Sequence, residues 1–300
     1  MYEEYYGLTE QPFSILPDAS YLYLSKRHKT ALTLLRYSLL SRQGFTVITG
    51  EVGCGKTTLV NQLLSDIDDD ITVGLINFTG SEYEDLAEWI MMAYGLDYRG
   101  KSKAELYDDF VQFLIREYAQ GRRTVLVIDE AQNLQSQGLE NVRMLSNVNA
   151  QKDYLLHLIL VGQPEMRDTM KKPEMRQLMQ RVSVAYHLGR LAKDEVRDYI
   201  QHRFRYAGGD PGLFHDDAIA MIAEVSEGVP RLINTLCDMA LVYGFSQDEP
   251  EILPSTIEAV IADRTEMGLM TGEQAAELET KATSSVPDNI IGAGFSSSSR

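Results

Sequence analysis

At 300 residues the chain is long enough for one large or two modest domains with a sizeable core. Its 44 acidic residues outnumber 28 basic ones, a formal net charge of −16, which repels phosphate backbones and anionic lipid and argues against bulk attraction to nucleic acid or membrane. Two cysteines, Cys54 and Cys237, exclude a disulfide framework. The five histidines (His28, His157, His187, His202, His215) show no metal-ligand spacing and read as ordinary core or surface residues. The segment Met1–Tyr6 is acidic and aromatic, the wrong character for a signal peptide, and the longest apolar runs are strand-sized. A soluble cytoplasmic protein without direct membrane insertion is expected.

In chain order, Tyr5, Tyr6, Phe13, Tyr21 and Tyr23 with Pro12 and Pro17 describe an irregular arm over residues 1–25, packed by its aromatics. A helix is predicted from Lys26 to Arg42, with Ala31, Leu32, Leu35 and Leu39 on one face. Strand signals follow at Phe45–Thr49, Thr72–Phe78, Thr124–Ile128, Leu155–Val161 and Val182–Leu188, separated by helical patterns. Ser81 with Glu84 and Ser102 with Glu105 read as capping boxes opening two of those helices. Strands alternating with helices predict a parallel sheet covered on both faces, a core over residues 26–190. From Leu191 only helices are predicted, near 193–206, 215–227, 230–244 and 255–266, the last opened by a capping box of Ser255 and Glu258. They form a small all-helical domain over 191–267. In its first helix Arg197, His202, Arg203 and Arg205 interleave with Asp194, Glu195 and Asp198, which reads as a solvated face. Residues 268–300, rich in Glu, Ala, Ser and Gly, lack a core-forming pattern and are expected to be disordered.

Two motifs carry the chemistry. Gly50-Glu51-Val52-Gly53-Cys54-Gly55-Lys56-Thr57 reads G-x-x-x-x-G-K-[ST] between an apolar strand and a helical pattern. Its glycines let the backbone aim N–H groups inward at a helix N-terminus, Lys56 would reach the β/γ-phosphates, and the Thr57 hydroxyl would hold Mg²⁺. Thr58 would face the flank of the nucleotide. Cys54 inside this loop points to a reducing compartment, since a disulfide there would obstruct the ligand. The second motif, Val125-Leu126-Val127-Ile128-Asp129-Glu130, ends a buried strand in two acids. Asp129 would hold Mg²⁺, directly or through water, and Glu130 could polarise an attacking water. The adjacent pair fits a hydrolase better than a small-molecule kinase.

With Ile128-Asp129-Glu130-Ala131-Gln132 following the loop, and a helical lid following the strands, the chain resembles an AAA+ ATPase: an α/β P-loop NTPase with a five-stranded parallel sheet and a small helical lid. More narrowly, Tyr6-Gly7-Leu8, Pro12-Phe13, Pro17-Asp18, Leu24-Ser25 and His28, then Thr49–Gly53 and Gly162-Gln163-Pro164-Glu165, resemble the ExeA-type general secretion pathway protein A family. The resemblance runs in motif order from residue 1 to about 266. Cys54 stands where the family commonly has Thr or Ala, and longer members carry a membrane segment and a peptidoglycan-binding domain; this chain looks more like the short, soluble members linked to pilus biogenesis or exopolysaccharide export.

The resemblance implies an ATP- and Mg²⁺-dependent ATPase that forms a homo-oligomer, a hexamer by analogy. It would drive assembly of an envelope complex through a partner protein, lying in the cytoplasm or held at the inner membrane by that partner. It also implies site roles. Gln163 would be the polar sensor of the γ-phosphate or attacking water, unless Gln-Pro is a plain turn. Arg231, opening a lid helix, would be the lid sensor of the γ-phosphate. Arg181, with Arg176 as the alternative, would reach the neighbouring subunit's nucleotide, or else form a surface ion pair. Asn77 would hold Glu130 in an inactive pose until a partner binds, or serve a turn. Tyr6, Phe13 and Ile15 would line the adenine, or belong to the core. The competing functions are a DNA-associated regulator of the transposition-target type, against which the acidity speaks, and a slow nucleotide-dependent interaction switch.

Overall fold

The computed structural model describes residues 1–41, 44–68, 70–78, 86–134, 136–150 and 153–269. The Ser81–Glu84 capping box and all but the first two residues of the 268–300 tail lie outside them. A short helix α1 (Tyr2–Tyr5) opens the chain, and after an extended stretch with a 3₁₀ turn at Ala19–Tyr21 comes α2 (Lys26–Leu40). Ser25 caps α2 by accepting from the His28 N–H. The chain then alternates through β1 (Phe45–Gly50), α3 (Lys56–Ser65), β2 (Ile71–Asn77), α4 (Leu86–Ala93), α5 (Lys103–Ala119) and β3 (Arg123–Asp129). The capping box of Ser102 and Glu105 is present at the start of α5. A helix α6 (Ser136–Leu145) and a hairpin of β4 (Asn149–Ala150) and β5 (Asp153–Tyr154), neither anticipated, precede β6 (Leu156–Gly162), α7 (Glu165–Met170), α8 (Arg176–Met179) and β7 (Val184–Leu188).

The five long strands pair in parallel in the order β2-β3-β6-β1-β7, the predicted five-stranded parallel sheet. β1 is buried throughout, and β3 is buried from Thr124 to Asp129, because helices cover both faces. On one face Leu126, Ile128, Leu158 and Leu160 pack with Phe110, Leu114 and Val142. On the other, Ile48, Val125, Val127 and Ile159 pack with Leu32, Leu35, Leu59 and Leu63 from α2 and α3. The alternation along each strand sends consecutive side chains to opposite faces. All five strands of this sheet are parallel, so the loops after β1, β3 and β6 emerge on one edge.

The remaining helices, α9 (Lys193–Tyr206), α10 (Asp216–Val225), α11 (Pro230–Ser246) and α12 (Pro254–Glu266), enclose a separate core of Val196, Phe204, Ile222, Ile233, Leu236 and Ile257. Two expectations are corrected here. The box of Ser255 and Glu258 does not form: α12 is capped at Leu253 with Pro254 at its first position, so Ser255 already lies inside the helix. Proline has no N–H to satisfy and a preset φ, which makes it the better first helical residue. Arg203 is buried rather than part of a solvated face. Its guanidinium donates to the carbonyls of Pro12 and Ser14 and lies 4.7 Å from the centre of the Tyr21 ring. The N-terminal arm is thereby packed into the helical domain, with Tyr2, Leu8, Phe13 and Tyr21 buried in the same cluster as α9 to α12.

Candidate functional site

The loop between β1 and α3 has Gly53 at φ 78° and Gly55 at φ 93°, a left-handed backbone that side-chain-bearing residues rarely adopt. Gly53 is also sterically required: a Cβ there would sit 2.5 Å from the Arg231 Cβ. Lys56 is buried at the first position of α3, and its Nζ donates to the carbonyls of Gly50 at 2.8 Å and Glu51 at 3.0 Å inside the loop. Thr57 Oγ donates to Asp129 Oδ2 at 2.7 Å, so the loop motif and the acid at the end of β3 meet. The other Asp129 oxygen accepts the Glu130 N–H at 2.8 Å. Burial pushes the Cys54 thiol above the usual thiol range, which keeps it neutral beside the loop.

A cleft of about 370 Å³ lies over this loop. Its floor is Val52, Gly53, Gly55, Lys56, Thr57 and Thr58, and Glu130 lies on its wall. Its roof combines Ile15 and Leu16 of the arm with Tyr199, Arg231 and Asn234 of the helical domain. Arg231 is exposed, and its backbone N–H donates to the Gly53 carbonyl at 3.1 Å, which seats the start of α11 directly on the loop. Its guanidinium makes no hydrogen bond or ion pair among the described residues.

Glu130 follows β3 with φ 53° and ψ 36°, an uncommon left-handed conformation for a non-glycine residue. Its Oε2 accepts from Gln163 Nε2 at 3.2 Å and from Gln132 Nε2 at 2.5 Å. Gln163 therefore touches Glu130 at the end of β6. Asn77 stands opposite Asp129 in the β2–β3 register, is exposed, and makes no bond to Glu130; the side chains bonded to the Glu130 carboxylate are the two glutamines.

Arg181 precedes β7, outside this cleft, and donates to the Ser146 carbonyl at 3.2 Å, while Arg176 is exposed on α8. Of the three candidate adenine contacts only Ile15 lines the cleft. Phe13 is buried against Phe204 and Phe214, and the Tyr6 hydroxyl donates to the Glu249 carbonyl at 3.1 Å. These two belong to the helical core because the arm folds onto that domain.

Sequence reading assigned no role to Gln132 or His28. His28 is buried, and its Nε2 lies 3.0 Å from the Cys54 carbonyl while its Nδ1 lies 2.8 Å from Ser25 Oγ. The carbonyl can only accept, so Nε2 carries the hydrogen and Nδ1 accepts from the serine hydroxyl. The available signals were Gln two residues beyond Glu130, and His three beyond a helix-capping serine.

The AAA domain family matches residues 38–170. General secretion pathway protein A of Aeromonas hydrophila is 37% identical over 258 residues, covering 86% of this chain and 47% of that protein, so the chain spans about half the length of this relative. The fold is similar to that of Aeropyrum pernix ORC1 solved in complex with DNA (TM-score 0.63, 18% identity, 85% of this chain and 69% of that one). It is also similar to that of the Thermotoga maritima RuvB Holliday junction branch migration motor (TM-score 0.51, 17% identity, 79% of this chain and 68% of that one).

Proposed function

The chain belongs to the AAA+ P-loop ATPases of the general secretion pathway protein A type, and from that premise we propose that it binds ATP with Mg²⁺, hydrolyses it, and does so in a ring of identical subunits. The observation that carries hydrolysis is the convergence of three strand ends. Thr57 and Asp129 are hydrogen-bonded, and Glu130 faces the cleft that Lys56 lines. The loop N–H groups and Lys56 bind the β/γ-phosphates. Thr57 and Asp129 supply hard oxygen ligands of the kind Mg²⁺ prefers, and the ion, when bound, neutralises charge on the phosphate oxygens. Glu130 takes the proton of the attacking water, Gln163 orients that water or the γ-phosphate, and Arg231 contributes positive charge from the lid.

Arg181 lies outside the cleft of its own subunit, which supports a role for it in the site of a neighbour. A hexamer is the assembly proposed. The kinship to a general secretion pathway protein supports use of the ATP cycle to assemble an envelope complex for secretion, pilus or exopolysaccharide export, through a partner protein at the cytoplasmic side. Among the described residues no helix is long and apolar enough to cross a membrane. The test is Glu130→Gln, which keeps the shape of the side chain and removes its basicity. Turnover should fall by about a hundredfold or more, with ATP affinity within about twofold of the parent because a general base contributes little to ground-state binding. Hydrolysis at the parent rate would remove Glu130 from the mechanism.

A further inference from the structure

Gln132 lies in the 3₁₀ turn Ala131–Asn133, directly after the left-handed Glu130. Its amide makes two bonds in opposite senses. Nε2 donates to Glu130 Oε2 at 2.5 Å, and Oε1 accepts the backbone N–H of Gln163 at 3.0 Å. The N–H of Gln163 can only donate, so the orientation of the Gln132 amide is settled by its partners. Gln163 Nε2 then closes a ring by donating to the same Glu130 oxygen at 3.2 Å. The end of β6 passes close to this ring: a Cβ on Gly162 would sit 2.7 Å from Met166 Sδ and 3.2 Å from Gln132 Oε1. Glu130 Oε1 accepts no hydrogen bond among the described residues, which leaves it as the oxygen open to a water in the cleft.

We infer that Gln132 is a positioning residue for hydrolysis: it pins one oxygen of Glu130 and ties it to the backbone of Gln163, so that the other oxygen is presented to the attacking water. The inference rests on the ATPase reading above. A glutamate side chain has three rotatable torsions and samples many rotamers unless held, and a general base must stay within hydrogen-bond reach of the proton it removes. Two amide donors on one oxygen hold the carboxylate plane, and the link to Gln163 keeps the ends of β3 and β6 in one register.

The experiment compares the 300-residue parent, E130Q and Q132A. Steady-state hydrolysis is measured, and affinity for a fluorescent ATP analogue is measured separately. Q132A should lower kcat about tenfold to a hundredfold, the scale of a misplaced catalytic group, with nucleotide affinity within about twofold of the parent. A Q132A enzyme at the parent kcat, or one that loses nucleotide affinity as much as turnover, overturns the positioning role alone. A parent chain that binds the analogue and never hydrolyses ATP overturns the ATPase reading together with it.

Discussion

His28 is an imidazole used as a brace for the loop backbone. It lies on α2, yet its ring reaches the Cys54 carbonyl, and a Cβ on Gly55 would lie 3.0 Å from Nε2. Burial pushes its pKa below the ordinary imidazole value, against opposing pulls from the Cys54 carbonyl and Glu195. The folded chain thus holds it neutral at pH values where the unfolded chain is already protonated. Below about pH 6.5, the ordinary value, the unfolded state binds more protons, so this contribution to stability is lost as the pH falls through the folded pKa. His28→Ala removes the brace and leaves a buried carbonyl without its donor. It should cost about 1–3 kcal/mol at neutral pH, read by urea unfolding, and weaken ATP-analogue binding. The stability gap between parent and variant should narrow between pH 7 and pH 5. A gap that widens on acidification would contradict the neutral-donor assignment.

At the scale of elements, the arm and the four lid helices behave as one body around the cleft. Arg203 on α9 donates to two arm carbonyls and to the Tyr199 hydroxyl, and Asn234 on α11 donates to the Ser14 carbonyl. Glu195, also buried, accepts the N–H of Lys26 at the start of α2 and that of Ala192 just before α9, both at 3.0 Å, which joins the lid to the core. Arg203→Ala strips donors from buried carbonyls and removes the cation stacked on Tyr21. A loss of about 2–4 kcal/mol follows from truncating such a network, measured by thermal unfolding, with the arm becoming the first site of limited proteolysis. An arm that resists protease as well as the parent's would show that its aromatics alone hold it. Lysine should not substitute, because one ammonium cannot reproduce the planar fork that spans Pro12 and Ser14.

At the scale of the molecule, the groups proposed to act on the nucleotide are brought together within one chain, except Arg181, whose proposed site is a neighbour's. The lid start, the loop and the ends of β3 and β6 meet over one cleft, while Arg181 stays tied to Ser146 outside it. Arg181→Ala should therefore be inactive alone, yet regain turnover when mixed with Glu130→Gln. In a mixed ring some sites pair an intact Glu130 with an intact Arg181 from the neighbour. Arginines supplied this way contribute about 10³–10⁵ in rate, so even a small share of complete sites is measurable above either variant. Mixtures no more active than their components would place Arg181 in a purely structural role.

The sequence by itself was sufficient for the sheet, the phosphate loop and the acid pair, since each depends on local pattern. Continuous apolar runs mark strands buried on both faces, as at Val125–Ile128, and the spacing from Gly50 to Thr57 is a property of one turn of chain. It was not sufficient for groups whose meaning comes from a distant partner. Nothing local to Arg203 says that arm carbonyls 189 to 191 residues away will accept hydrogen bonds from it, so alternation with acids read as a solvated face. Gln132 and His28 are likewise unremarkable until β3 meets β6 and α2 meets the loop. The end of β2 offers Asn77 either as a hold on Glu130 or as a turn residue, and the tertiary fold brings two glutamine amides to Glu130 instead. Hydrophobic periodicity is written residue by residue along the chain, whereas the pairing of buried polar groups is decided only when packing removes water and leaves each donor one acceptor within reach.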